Sequence, residues 1–291
     1  MLGQDLVAHL AVRHQIIPVD LPQVDITDLR AIQATASSQR PDVVIHTAAF
    51  TAVDECETRR ELAFQVNAQG TRHVALACRD QKVPLLYIST DYVFDGEKPS
   101  PYREDDAPRP INVYGQSKLQ GEQHVRTLVG HFWIVRTSWL FGPKGRNFVR
   151  AILEKARRDR MLRVVDDQVG APTYTADLAE KLEQIIERGG TGIYHVTNQG
   201  FCSWFEFAEE ILRQAGLSQV AVTPMPSSAS ERPAPRPKNS RLANSRLESE
   251  GLGLLPPWQD ALRRYLARDA AGEKPICSAG PLRDPSSGGR A

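Results

Sequence analysis

Leu85-Leu86-Tyr87-Ile88-Ser89-Thr90, running on into Asp91-Tyr92-Val93-Phe94, is a strand-like apolar run that ends in hydroxyls. A strand this uniformly apolar suits a sheet covered on both faces. Working outward, similar short runs predict strands at Ile16–Asp20, Asp42–His46, Leu85–Ser89, Phe132–Thr137, Leu162–Val165 and Gly192–Val196. Between them, helical patterns occupy Leu6–His14, Asp28–Ser38, Glu61–Asp80, Val113–Leu128, Asn147–Arg158 and Thr175–Glu187. That alternation predicts an α/β fold built on a doubly wound parallel sheet. In such a sheet the ligand crevice lies at the carboxyl ends of the strands, where Thr90 falls. A hydroxyl there can donate to a carbonyl oxygen as it gains charge. The plain alternative is a turn-forming Ser-Thr-Asp cluster.

Composition narrows the function classes. The 291 residues carry 36 Lys+Arg against 35 Asp+Glu, with 41% hydrophobic and 24% charged residues. This balance argues against disorder and against a nucleic-acid binder that relies on a basic field. No apolar run is long enough to span a membrane, and the N-terminus lacks a secretory pattern. Cys56, Cys78, Cys202 and Cys277 lie far apart with no CxxC pair, which favours a reducing cytoplasm over disulfides or structural zinc. No internal repeat is evident.

The texture changes after Gly200. Ser203 reads as the N-cap of an amphipathic helix carrying Trp204, Phe207, Ala208, Ile211 and Leu212. Pro224 to Pro237 reads as loop, and a last helix begins near Pro257 with Trp258, Leu262 and Tyr265. Arg268 to Ala291 reads as a disordered tail. At the other end, Met1-Leu2-Gly3 leads straight into helical sequence, whereas a doubly wound sheet opens with a strand and a Gly-rich turn. The expectation is a start placed too late in the gene rather than a domain without its central strand.

The strongest chemical signal is Tyr114-Gly115-Gln116-Ser117-Lys118 at the head of a predicted helix. Positions i and i+4 share a helix face, so the ammonium can sit beside the phenol. A phenol has a pKa near ~10, and a neighbouring cation lowers it towards a usable acid/base. Alone the spacing is a weak signal, and a half-buried Tyr with a solvated Lys is the commoner reading.

With further blocks in order, the chain resembles the extended short-chain dehydrogenases, within them the dTDP-4-dehydrorhamnose reductases. The blocks are Val24–Asp28, Thr47–Asp54, Ser89–Gly96, Asn112–Gly115 with Lys118, Arg136–Trp139, Asp167–Thr173 and Arg236–Leu242, after Met1–Leu6. The resemblance covers Met1 to about Leu266. It implies a Rossmann-like NAD(P)-binding domain over 1–165, lacking its first strand. It also implies a smaller, mainly substrate-binding domain over 166–267, with a segment near 192–198 returning to the sheet, and a tail over 268–291.

Carried over by residue, Tyr114 is implied as the catalytic acid. Lys118 is its electrostatic partner, which also holds the nicotinamide ribose, and Thr90 polarises the ketone. Asp91 and Trp139 match contacts to the nucleotide sugar, with a core aromatic as the other reading of Trp139. Asp20 matches the acid that binds the adenosine ribose, with a turn aspartate before Pro22 as its alternative. Asp25 and Ile26 match the adenine-lining segment. Ala49, Phe50 and Thr51 match the loop where small residues admit the cofactor, although Phe50 stands where His is frequent. Ile88 passes under the cofactor, and Met1, Leu2 and Gly3 match the end of the pyrophosphate turn.

The implied reaction uses NADPH or NADH to reduce the C4 ketone of a dTDP-sugar, dTDP-4-dehydro-L-rhamnose, giving a donor for cell-surface polysaccharide. No nucleic acid or membrane partner is implied; a homodimer is one option, and the oligomeric state stays open. Mg2+ enters on resemblance alone, since Asp105-Asp106 and Asp166-Asp167 read as turn and cap acids. A dehydratase would want a carboxylic acid where Tyr92 stands. A 4-epimerase, another nucleotide-sugar reductase and a non-catalytic regulatory relative stay open.

Overall fold

The computed structural model describes residues 1–270. Its main sheet has four parallel strands in the order β1 (Val44–His46), β2 (Leu85–Thr90), β3 (Phe132–Thr137) and β4 (Gly192–His195). Every residue of β2 is buried. Its side chains alternate between two apolar layers, which is why its sequence shows no polar face. Leu86 and Ile88 face α1 (Leu2–Leu10), through Leu2, Leu6 and Leu10, together with Leu178 and Leu182. Leu85 and Tyr87 face Val74, Cys78 and Val125 on the other side. Truncating a leucine in such a layer typically costs about 2–5 kcal/mol. Gly192–His195 does return to the sheet, beside β3.

Flanking the strands are α2 (Leu29–Gln39), α3 (Thr71–Gln81) and α4 (Val113–Leu128). Further along come α5 (Phe148–Ala156), α6 (Thr175–Arg188), α7 (Trp204–Gln214) and α8 (Trp258–Ala270). Side-chain caps set several starts. Asp28 accepts from the N–H groups of Arg30 and Ala31, and Asn112 from that of Gly115. Ser203 and Glu206 form a reciprocal capping box.

A second core gathers Phe141, Ile152, Leu162, Phe207, Ile211, Trp258 and Tyr265, from both sides of position 165. Met161–Val165 pairs in parallel with Ala221–Met225 in this layer and takes no part in the main sheet. Cys56, Cys78 and Cys202 are free and buried. Among the described residues no helix is long and apolar enough to cross a membrane.

Several expectations need correcting. Ile16–Asp20 runs without a strand partner among the described residues, because a strand exists only through its ladder and β1 pairs with β2 alone. The first helix spans Leu2–Leu10, four residues earlier than read, since Leu2, Leu6 and Leu10 form its buried stripe. The helix expected over Glu61–Asp80 breaks into Arg60–Phe64, a π-helical turn Gln65–Gly70, and α3. Pro224 lies in a strand; pairing on one side only tolerates its missing N–H. Residues 268–270 complete α8, so the expected tail starts no earlier than 271 and lies outside the described residues, with Cys277.

Candidate active site at the strand ends

Thr90 ends β2 and Tyr114 sits in the first turn of α4, whose start packs directly on the segment after β2. Gly115 makes this approach possible, for a Cβ there would collide with the Tyr92 carbonyl. The Thr90 hydroxyl donates to Asp91 Oδ1 at 2.9 Å and accepts from the Tyr92 N–H at 3.2 Å. Burial pushes the Asp91 carboxyl up to about 7, against the Ser240 and Thr90 hydroxyls, which favour the anion. Asp91 Oδ2 is buried with no hydrogen-bond partner, as is Oγ1 of Thr137, the register neighbour of Thr90 on β3. Unpaired buried oxygens are rare in folded proteins, and two beside one strand end mark a place where a polar ligand can bind.

Lys118 follows Tyr114 by one helical turn and is 2% exposed. Its Nζ donates to the Ile88 carbonyl at 2.7 Å and lies 4.1 Å from the Tyr87 ring centre. Burial pushes the amine down to about 7, with the Glu122 carboxylate opposing. The phenol of Tyr114 is pushed up, first by burial and then by the Asp91 charge, while the Thr90 hydroxyl works the other way. The expected lowering of the phenol by Lys118 is therefore outweighed. A neutral phenol results, which is the form that donates a proton.

Just past the end of β3 lies an aromatic pair. Trp139 adopts φ +48°, a left-handed conformation that strains a bulky residue. Its ring stacks on Trp204 with centroids 3.4 Å apart and planes 7° from parallel. Gly170 lies against it, where a Cβ would come within 2.5 Å of the indole. The Pro-rich segment is tied to Asp54 and to the cap of α4. Arg236 forks onto Asp54 at 3.0 and 2.9 Å, and Asn112 donates to the Pro235 carbonyl at 2.9 Å.

On the cofactor side, Met1 is the N-cap of α1 without a side-chain cap, so the first N–H groups of Leu2 and Gly3 remain open to an anion. Gly3 lies against the end of β1, where a Cβ would be 3.1 Å from Thr47 Oγ1. Ala49, Phe50 and Thr51 form the loop after β1. Phe50 is held by Asn67, which accepts its N–H at 2.7 Å and donates to its carbonyl at 3.0 Å. The ring packs, as that of Tyr114 does, against the cluster of Cys56, Ala63 and Val113. Ile26 presses on Gly70 and its carbonyl meets His73 Nδ1 at 3.1 Å. Asp25 caps its own turn through Thr27, which holds its carboxyl below the usual range. Asp20 is exposed and accepts the Leu21 N–H at 2.8 Å, as a turn aspartate does.

The structure thus brings Thr90, Asp91, Tyr114, Lys118, Ile88 and Phe50 together, with Asp20 in an exposed turn of its own. Sequence reasoning missed Asn67, Glu122, Ser240 and Trp204; Glu122, four residues past Lys118, could have been found by helical spacing. For a metal, His14, Glu183 and Glu187 bring ligand atoms within 4.8 Å of one another. Arg13 already pairs with Glu187 at 2.9 Å and Glu183 at 3.4 Å. Asp106 is tied to Lys98 and the Arg103 N–H, Asp166 to Ser203, and Asp167 to Ser227. None of these supports the Mg2+ expectation.

Comparison with known proteins agrees with this geometry. The family model described as RmlD substrate binding domain matches residues 1–271. A dTDP-4-dehydrorhamnose reductase of Streptomyces griseus is 43% identical, covering 90% of this chain and 88% of its own. The crystal structure of a dTDP-4-dehydrorhamnose reductase from Clostridium acetobutylicum superposes with a TM-score of 0.90 at 40% identity, over 92% of this chain and 95% of the other. That of a dTDP-4-dehydrorhamnose reductase from Bacillus anthracis in complex with NADP gives 0.87, also at 40% identity, over 91% and 97%.

Proposed function

The chain belongs to the family of the RmlD substrate binding domain, and from that premise we propose that it reduces the C4 ketone of dTDP-4-dehydro-L-rhamnose to dTDP-L-rhamnose. It is an NAD(P)H-dependent oxidoreductase of the dTDP-4-dehydrorhamnose reductase type. One observation carries the reading: a half-buried phenol at the head of α4, the Thr90 hydroxyl and an unpaired Asp91 carboxylate oxygen lie about one strand end, with a buried amine one helical turn below the phenol.

NAD(P)H, when bound, supplies a hydride from its nicotinamide ring. The first turn of α1 at Met1, Leu2 and Gly3 would hold its pyrophosphate, with Ala49, Phe50 and Thr51 alongside and Ile88 beneath. Tyr114 and Lys118 would hold the nicotinamide ribose, and Asp25 and Ile26 the adenine side. The open N–H groups of α1 fit an anion. Asp20, exposed in its turn, would face the adenosine ribose, and either NADH or NADPH serves the reading.

As the ketone becomes an alcohol, the Thr90 hydroxyl turns its one proton from Asp91 to the oxygen that gains charge, a contribution of roughly 3 kcal/mol for one such donor. Tyr114 transfers its phenolic proton to that oxygen. The ammonium of Lys118 steadies the phenolate left behind. Asp91 accepts a sugar hydroxyl through Oδ2, and the Trp139–Trp204 stack forms the apolar side of the pocket. The free, buried cysteines suit work in the reducing cytoplasm.

The test is direct. Mixed with dTDP-4-dehydro-L-rhamnose, the purified chain should consume NADPH or NADH in step with formation of dTDP-L-rhamnose. A chain that binds the cofactor yet leaves this sugar unreduced would refute the assignment.

A further inference from the structure

Behind the catalytic helix face lies a chain of buried charges that the reaction as described does not use. Tyr114, Lys118 and Glu122 stand at successive i+4 positions of α4 and so share one stripe. Glu122 is 1% exposed. Its Oε1 accepts from Ser89 Oγ at 2.6 Å and Arg136 Nε at 2.9 Å, and its Oε2 from Arg136 Nη2 at 2.7 Å. Arg136, also 1% exposed, places Nη1 3.5 Å from His195 Nε2 and its guanidinium over Phe94. His195 Nδ1 faces the carbonyls of Tyr102 and Ala243, each at 3.1 Å, so it carries the ring proton and Nε2 accepts. The carboxylate cannot swing away, because the fork and the serine hold both its oxygens.

A buried ion pair is a poor way to gain stability, since apolar residues of similar volume often serve as well. Its place next to the catalytic amine suggests another use. We propose that Glu122 is a positioning residue for the reduction: clamped by Arg136 and Ser89 one turn beyond Lys118, its carboxylate keeps the Lys118 ammonium charged where it lies against the Ile88 carbonyl. This rests on the ketone-reductase reading given above.

The surroundings of the amine leave that task to Glu122. From β1, His46 faces it as a neutral ring, bonded at 3.1 Å to Thr71 of α3 and held down at about 3 by burial and by the Lys118 charge. From β2 come the Tyr87 ring and the Ile88 carbonyl. From α4 come the Tyr114 phenol and Glu122, and from β3 Arg136, whose charge Glu122 shields. Burial alone drives the amine towards neutrality, and Glu122 is the group that opposes it.

The experiment compares pH profiles of kcat and kcat/KM, at saturating NADPH with dTDP-4-dehydro-L-rhamnose, for the natural chain, Glu122→Gln and Glu122→Asp. The alkaline limb reports loss of the Lys118 proton, because the Tyr114 phenol is pushed up and titrates later. In Glu122→Gln that limb should move down by about one pH unit. Turnover then falls about tenfold on the alkaline side and recovers to near the natural value on the acid side. Glu122→Asp keeps the charge on a shorter arm, farther from the amine, and should shift the limb by a smaller amount in the same direction. A limb that stays put or moves up, or a loss uniform across pH, overturns the proposal. NADPH titration and a melting curve check each variant; if Glu122→Gln does not fold, the direction of the limb in Glu122→Asp decides. Failure of the natural chain to turn over would instead strike the function reading itself.

Discussion

Thr90 and Asp20 are both polar residues at the carboxyl ends of apolar runs, yet the fold treats them differently. Thr90 ends a strand paired on both sides and is 6% exposed, braced by Asp91 and the Tyr92 amide. Asp20 ends a stretch with no partner strand among the described residues and faces solvent. The same local pattern thus gives a positioned functional group in one place and a turn residue in the other. Neighbours make the difference, because the β3 ladder continues to the Thr90–Thr137 pair and holds the strand end in place, while burial excludes water from it.

The sharpest way to break that comparison is at the braced end. Tyr114→Phe removes the proposed proton donor and little volume. We expect kcat to fall about 10³-fold with cofactor affinity unchanged, read by single-turnover reduction and by NADPH fluorescence titration. Activity within tenfold of the natural chain would show that burial there is only structural.

A second prediction concerns the stability of the buried half. His46 and His195 are held down at about 3 by burial first, then by the charges of Lys118 and Arg136. The unfolded chain binds their protons near ~6.5 and the folded one near 3, so stability is full above ~6.5 and declines as pH falls through that window. Asp91, raised to about 7, works in the opposite direction between ~4 and 7 and cancels about one histidine's share. The net loss between pH 6.5 and 4 should be on the order of 3 kcal/mol, measured by urea unfolding. A flat profile would mean that these rings are accessible to water.

Gly170→Ala sets a Cβ against the Trp139 indole and must tilt it off Trp204. The KM for the sugar should rise about tenfold while cofactor binding stays put, since only one wall of the crevice moves. The smallest effect belongs to the exposed end. Asp20→Asn should change the Kd of either dinucleotide by less than about threefold, as expected of an exposed turn residue. A tenfold loss for NADH alone would restore Asp20 to the ribose and weaken the contrast.

Much of the fold was legible where the deciding interactions are local. Val113–Leu128 and Phe132–Thr137 match their predicted limits, the first because Asn112 caps it through its own side chain. Ser203 likewise announces α7 through the capping box with Glu206. The π-helical turn at Gln65–Gly70 was invisible, since no local residue demands it; one residue within it, Asn67, turns inward to hold the Phe50 backbone. The partner of Met161–Val165 was hidden too, because Ala221–Met225 lies some sixty residues on and contains a proline. In the site, Thr90, Asp91, Tyr114, Lys118 and Trp139 could be named from their motifs. Their protonation could not. Burial and the Asp91 charge, both products of packing, leave Tyr114 a neutral acid and bring Lys118 down to about 7.

Taken alone, the amino-acid order determined which side chains the chemistry can draw on and how they repeat along each helix and strand, because caps, turns and i+4 spacing act within a few residues. Tertiary structure decided which strand ends find partners, which acids lose their water, and that Glu122, Arg136 and His195 line up behind the amine. Those outcomes depend on groups distant in the chain sharing a low-dielectric interior, and no local pattern encodes that.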